Sequence, residues 1–61
     1  MKEYEKIKQL VADIQEDVVK FSEKGNAAAG TRVRKGLQEI KRACQEMRDA
    51  IQELKKTETG E

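Results

Sequence analysis

Lys24-Gly25-Asn26-Ala27-Ala28-Ala29-Gly30-Thr31-Arg32-Val33-Arg34-Lys35-Gly36 interrupts the one long heptad pattern of this chain and divides it into two arms. Gly25 is free to take the left-handed conformation that ends a helix, and Asn26 is a good N-cap for the next. The turn that follows holds Ala27, Ala28, Ala29 and Gly30, with no carboxylate to meet the positive end of a helix dipole. Arg32, Arg34 and Lys35 come next, of the sign that a helix N-terminus disfavours. Small side chains, open backbone donors and clustered cations together suit a bound anion such as a phosphate.

Outward from that break, both arms are helical by periodicity. Tyr4, Ile7, Val11, Ile14, Val18 and Phe21 alternate steps of three and four on the first arm, the a/d pattern of a helix seam. Val33, Leu37, Ile40, Cys44, Met47, Ile51 and Leu54 do the same on the second. The spacing predicts helix 1 over about residues 2–24, a turn at 25–26, helix 2 over about 27–56 and a frayed tail at 57–61. Folding back at the turn gives an all-α antiparallel two-helix hairpin. In it Phe21 pairs with Gly30, Val18 with Val33, Ile14 with Leu37, Val11 with Ile40, Ile7 with Cys44 and Tyr4 with Met47. Cys44 and Met47 are then read as core. Ala29, Gly36, Ala43 and Ala50 run beside the seam, one small residue per heptad, and allow another helix to approach. Gly36 costs its helix about 1 kcal/mol relative to alanine, which calls for a compensating contact.

Helix 1 runs out before helix 2, and a hairpin covers one side of each seam. Leu10, Val19, Ile51 and Leu54 are therefore expected at an oligomer interface, with a homodimeric four-helix bundle favoured. A larger bundle, or one continuous helix in a long coiled coil, is the alternative. Sixty-one residues bury little, a lone cysteine closes no disulfide within the chain, and the absence of histidine leaves no metal set. Oligomerisation is the staple that remains.

With 41% charged residues and no proline, the composition favours long helices over disorder. The net charge of +1 conceals a division. Residues 1–24 hold five basic and six acidic side chains, whereas residues 32–56 hold eight and four. Positive charge belongs to the second arm, and no acid occurs between Lys24 and Gln38. No apolar run approaches a membrane span or a secretion signal, and a single thiol fits a reducing cytoplasm. Nothing arranges a nucleophile beside a base, so no enzyme, cofactor or small-molecule substrate is indicated.

The run Glu23-Lys24-Gly25-Asn26-Ala27-Ala28-Ala29-Gly30-Thr31-Arg32-Val33-Arg34-Lys35 resembles the signature of the bacterial histone H1-like nucleoproteins, the chlamydial histone-like proteins and their short relatives. The resemblance implies a nucleoid-associated, DNA-binding role in the bacterial cytoplasm. Longer members end in a Lys- and Ala-rich tail, whereas this chain ends Thr57-Glu58-Thr59-Gly60-Glu61, so the tail's share in compaction does not carry over.

On this reading Lys24, Arg32, Arg34, Lys35, Lys41 and Arg42 contact double-stranded DNA, and Gly25, Asn26 and Gly30 shape the turn and its close backbone approach. No aromatic residue lies among the cations for base stacking, and no helix-turn-helix or zinc-finger spacing is present. Contact with phosphates, weakly selective for sequence, is the expected mode. A dimer whose basic tips point apart would bridge two duplexes, and one whose tips lie together would clamp one. The rival readings are a helical protein–protein interaction module without a nucleic-acid role, and a binder of RNA or another acidic polymer.

Overall fold

A computed structural model describes residues 1–57, with side chains through Lys55. Two helices, α1 (Lys2–Lys24) and α2 (Ala27–Thr57), fold back on each other as an antiparallel hairpin of 52 × 14 × 13 Å. Of the expected frayed tail at 57–61, Thr57 ends α2 and the rest lies outside the described residues. Among those residues no helix is long and apolar enough to cross a membrane.

The turn forms for local reasons. Gly25 adopts φ 65° and ψ 26°, the left-handed conformation that costs a residue with a side chain about 1–2 kcal/mol. Its N–H donates to the Phe21 carbonyl at 3.0 Å, and the Asn26 N–H donates to the Lys20 carbonyl at 3.3 Å. Asn26 then caps α2: its Oδ1 accepts from the Ala29 N–H at 3.1 Å. At the far end of the hairpin, Glu3 and Glu5 sit favourably in the first turn of α1.

The register keeps the expected pairing of Phe21 with Gly30, but Ile14 meets Gly36 rather than Leu37. A Cβ built on Gly30 would lie 2.7 Å from Phe21 Cδ1, and one built on Gly36 would collide with Ile14 Cγ2. Cross-helix ion pairs join Lys6 to Glu46 and Asp17 to Arg32.

The rotation of each helix differs from the expected seam. On α2 the covered face among the described residues is Ala29, Gly30, Val33, Gly36, Ile40, Ala43, Met47 and Ala50, of which Ala29 and Ala43 are fully buried. On α1 it is Glu3, Ile7, Leu10, Ile14 and Asp17. Both helices have turned by about 50°, half the angle between successive residues. The small residues expected beside the seam instead form it. With hydrogen or a methyl group at every second contact the backbones approach closely, and larger side chains at those positions would hold them apart. Leu10 moves into the hairpin as a result. Tyr4, Val11, Val18, Leu37 and Cys44 move out, so the expectation that Cys44 is a buried core thiol is corrected: it is exposed.

This rotation gives the hairpin two unlike broad faces. The new seam places Lys6 on α1 and Arg32, Glu39 and Glu46 on α2 along one face, which carries both cross-helix ion pairs. Tyr4, Val11 and Val18 on α1, with Leu37, Cys44 and Ile51 on α2, lie along the other.

Candidate nucleic-acid interface

The cations follow from the same rotation. Arg34 and Lys41 now stand on the outer side of α2 toward the apolar face. Lys35 and Arg42 stand on the outer side toward the ion-paired face. Between them run Gln38 and Gln45, which point directly away from α1. Thr31, Arg34, Lys35, Leu37 and Gln38 line one shallow hollow, and Gln38, Lys41, Arg42 and Gln45 line the next. Shared Gln38 makes them one continuous surface about four helical turns long, roughly 21 Å. Arg42 also borders a hollow with Lys6, Leu10, Glu39 and Glu46.

Arg32 is placed differently from its neighbours. Its Nε donates to Asp17 Oδ2 at 3.1 Å and its Nη2 to Asp17 Oδ1 at 2.9 Å, a fork that joins the helices beside the turn. The Asp17 side chain is 19% exposed, Arg32 52%. These hydrogen bonds hold the Asp17 carboxyl below the usual carboxylate range, and the charges of Arg32 and Lys20 add to the effect. Arg32 is raised further above its ordinary value by the same pair. The sequence shows no acid near Arg32; Asp17 comes from the other helix, and antiparallel register was the signal that could have found it.

Lys6, Lys8 and Lys20 are likewise ion-paired, to Glu46, Glu5 and Glu16. Among the described residues, Lys24, Arg34, Lys35, Lys41 and Arg42 make no ion pair. Lys24 lies apart from the other four, in a hollow on α1 with Ala12, Gln15, Glu16, Val19 and Lys20. Val19 faces outward there, 43% exposed, while Ile51 and Leu54 are exposed near the end of α2.

The turn residues have structural work of their own. The Asn26 cap takes one of the helix donors that an anion would use, and no acid occupies the first turn of α2. Gly30 lies under the Phe21 ring, which leaves little room for a side chain at that position. Its small size therefore serves the hairpin, whatever approaches from outside.

Among the described residues, the unpaired cations of α2 lie along shallow hollows on the outward surface of a thin helical scaffold. No curated protein and no solved structure matches the chain. The family model for the histone H1-like protein Hc1 matches residues 1–57, nearly the whole sequence, and the chain belongs to that family.

Proposed function

We propose that this protein binds double-stranded DNA without sequence selectivity, through phosphate contacts from the outer face of α2 and the adjoining turn. Family membership supports the coarser statement, a DNA-binding nucleoid protein of a packaging family rather than an enzyme. The observation that carries the finer one is the distribution of ion pairs. Carboxylates take up Lys6, Lys8, Lys20 and Arg32, while Arg34, Lys35, Lys41 and Arg42 remain together on one outward surface. Exposed cations are already hydrated and charged, so a phosphate backbone gains them without breaking an internal bond. The gain is release of condensed counterions from the duplex. Glutamines between the cations add donors to phosphate or sugar oxygens.

Arg32 has a second role in this reading: it sets the angle of the turn through Asp17 and so positions Arg34 and Lys35. Lys24 lies on α1, apart from the four α2 cations, and supplies a further cation at the turn end of the hairpin.

The test is a mobility-shift titration of the full chain at two salt concentrations. Four phosphate contacts per protomer give a log–log salt slope of roughly −3 to −4. Arg34→Glu with Lys35→Glu should abolish the shift while far-UV circular dichroism is unchanged. Binding indifferent to salt, or retained by that variant, overturns the phosphate mechanism. Competition by duplex RNA at equal strength would replace the DNA assignment with a general one for acidic polymers.

A further inference from the structure

The hairpin brings an aromatic ring to cations that have none near them along the chain. Phe21 ends the apolar run of α1, and the antiparallel register sets it opposite Gly30 beside the turn. Its Cδ1–Cε1 edge fills the space that a Cβ on Gly30 would need, so the ring is held by that edge. The remainder is open, and Phe21 is 52% exposed. The ring, Ala27, Gly30, Thr31, Val33 and Arg34 line a largely apolar hollow of about 370 Å³. That is near the lower end of the range for small-ligand sites, roughly 300–1,000 Å³, and suits one ring system rather than a large ligand.

Charge decides the occupant. Thr31 and Arg34 line this hollow and also the neighbouring one with Lys35, Leu37 and Gln38. The two are therefore adjoining halves of one site, apolar beside Phe21 and cationic beside Lys35. An uncharged apolar molecule would leave the cations unused, and inorganic phosphate would leave the ring unused. A nucleotide within a strand matches both halves, because it carries a phosphate and a flat base joined through one sugar. Among the described residues Arg34 makes no ion pair. Its guanidinium is free to stack on a base as well as to pair with a phosphate. In an intact duplex neighbouring pairs cover each base face, so the hollow takes a base only where a strand is unpaired or a step is opened.

We infer that the turn end of the hairpin is a stacking site for one unpaired nucleobase, received against the Phe21 ring while Arg34 and Lys35 meet the adjoining phosphate. The cationic half rests on the phosphate reading above. The aromatic half adds a preference for single-stranded or locally opened DNA over perfect duplex, since stacking accepts any base.

The test uses the full chain and two variants. Phe21→Trp introduces an indole into a chain that has no tryptophan. Its fluorescence should be quenched by oligo-dT, whereas inorganic polyphosphate, which has no bases, should bind without quenching. Phe21→Leu should weaken binding of oligo-dT at least about fivefold, and should leave perfect duplex affinity, salt slope and circular dichroism unchanged. Oligo-U titrated in parallel distinguishes the sources of the base: weaker quenching than by oligo-dT upholds the DNA assignment, and stronger quenching overturns it. Salt-dependent binding of oligo-dT without quenching, or equal weakening of strand and duplex in Phe21→Leu, overturns the stacking site and leaves the phosphate reading standing. Quenching by oligo-dT that is indifferent to salt upholds the stacking site and overturns the phosphate reading instead.

Discussion

Replacing Gly36 with alanine sets two opposing effects against each other at one atom. Helix propensity alone favours alanine by about 0.8–1.0 kcal/mol in a helix interior. Against this, the added methyl group would occupy the space of Ile14 Cγ2, a β-branched methyl on the facing helix with little rotational freedom. Inserting a methyl group into an interhelix contact of this kind costs about 1–3 kcal/mol. The contact should prevail, giving a net loss of about 1 kcal/mol, or roughly 4–8 °C in Tm for a chain this small. Urea and thermal unfolding followed by far-UV circular dichroism at fixed protein concentration would measure it. Ile14→Leu removes the β-branch and opens the space, so the double variant Gly36→Ala, Ile14→Leu should be more stable than the sum of the two single changes allows. If Gly36→Ala instead stabilises the protein by about 1 kcal/mol, propensity acts unopposed. The close approach of α1 to α2 at Gly36 would then be refuted, and the rotated seam with it.

Gly30→Ala should be milder, within about 1 kcal/mol of neutral, because the Phe21 ring that it meets is 52% exposed and can swing outward; thermal melts of both glycine variants side by side give the contrast. Gly25→Ala forces a side chain into φ 65° and should cost about 1–2 kcal/mol, whereas Gly25→Asn should recover much of that in the same urea titration. Asn26→Ala removes the bond to the Ala29 N–H and should cost about 1 kcal/mol of unfolding free energy. Asp17 has a depressed pKa in the folded state, so its contribution is present above the unfolded carboxylate value of about 3.9 and is lost as pH falls through the folded value. Stability measured from pH 7 down to acid should therefore decline below about pH 4, and less steeply in Asp17→Asn.

Two helices, their turn and their register were legible in the sequence because each rests on local chemistry. Heptad steps define the arms, Gly25 and Asn26 carry the conformations a reversal needs, and antiparallel pairing about that turn aligns Phe21 with Gly30. The clustering of cations on α2 was legible too, since Arg34, Lys35, Lys41 and Arg42 recur at helical spacing outside the apolar seam. What remained open was which of two adjacent faces each helix turns inward. Hydrophobicity alone assigns Leu37 and Cys44 to the seam. Close packing assigns Gly36 and Ala43 instead, because contact between backbones depends on small size rather than on apolar area. That choice requires both helices at once, so only the tertiary structure decided it. With it went the exposure of Cys44, the capture of Arg32 by Asp17 across the helices, and the separation of an ion-paired face from an apolar one.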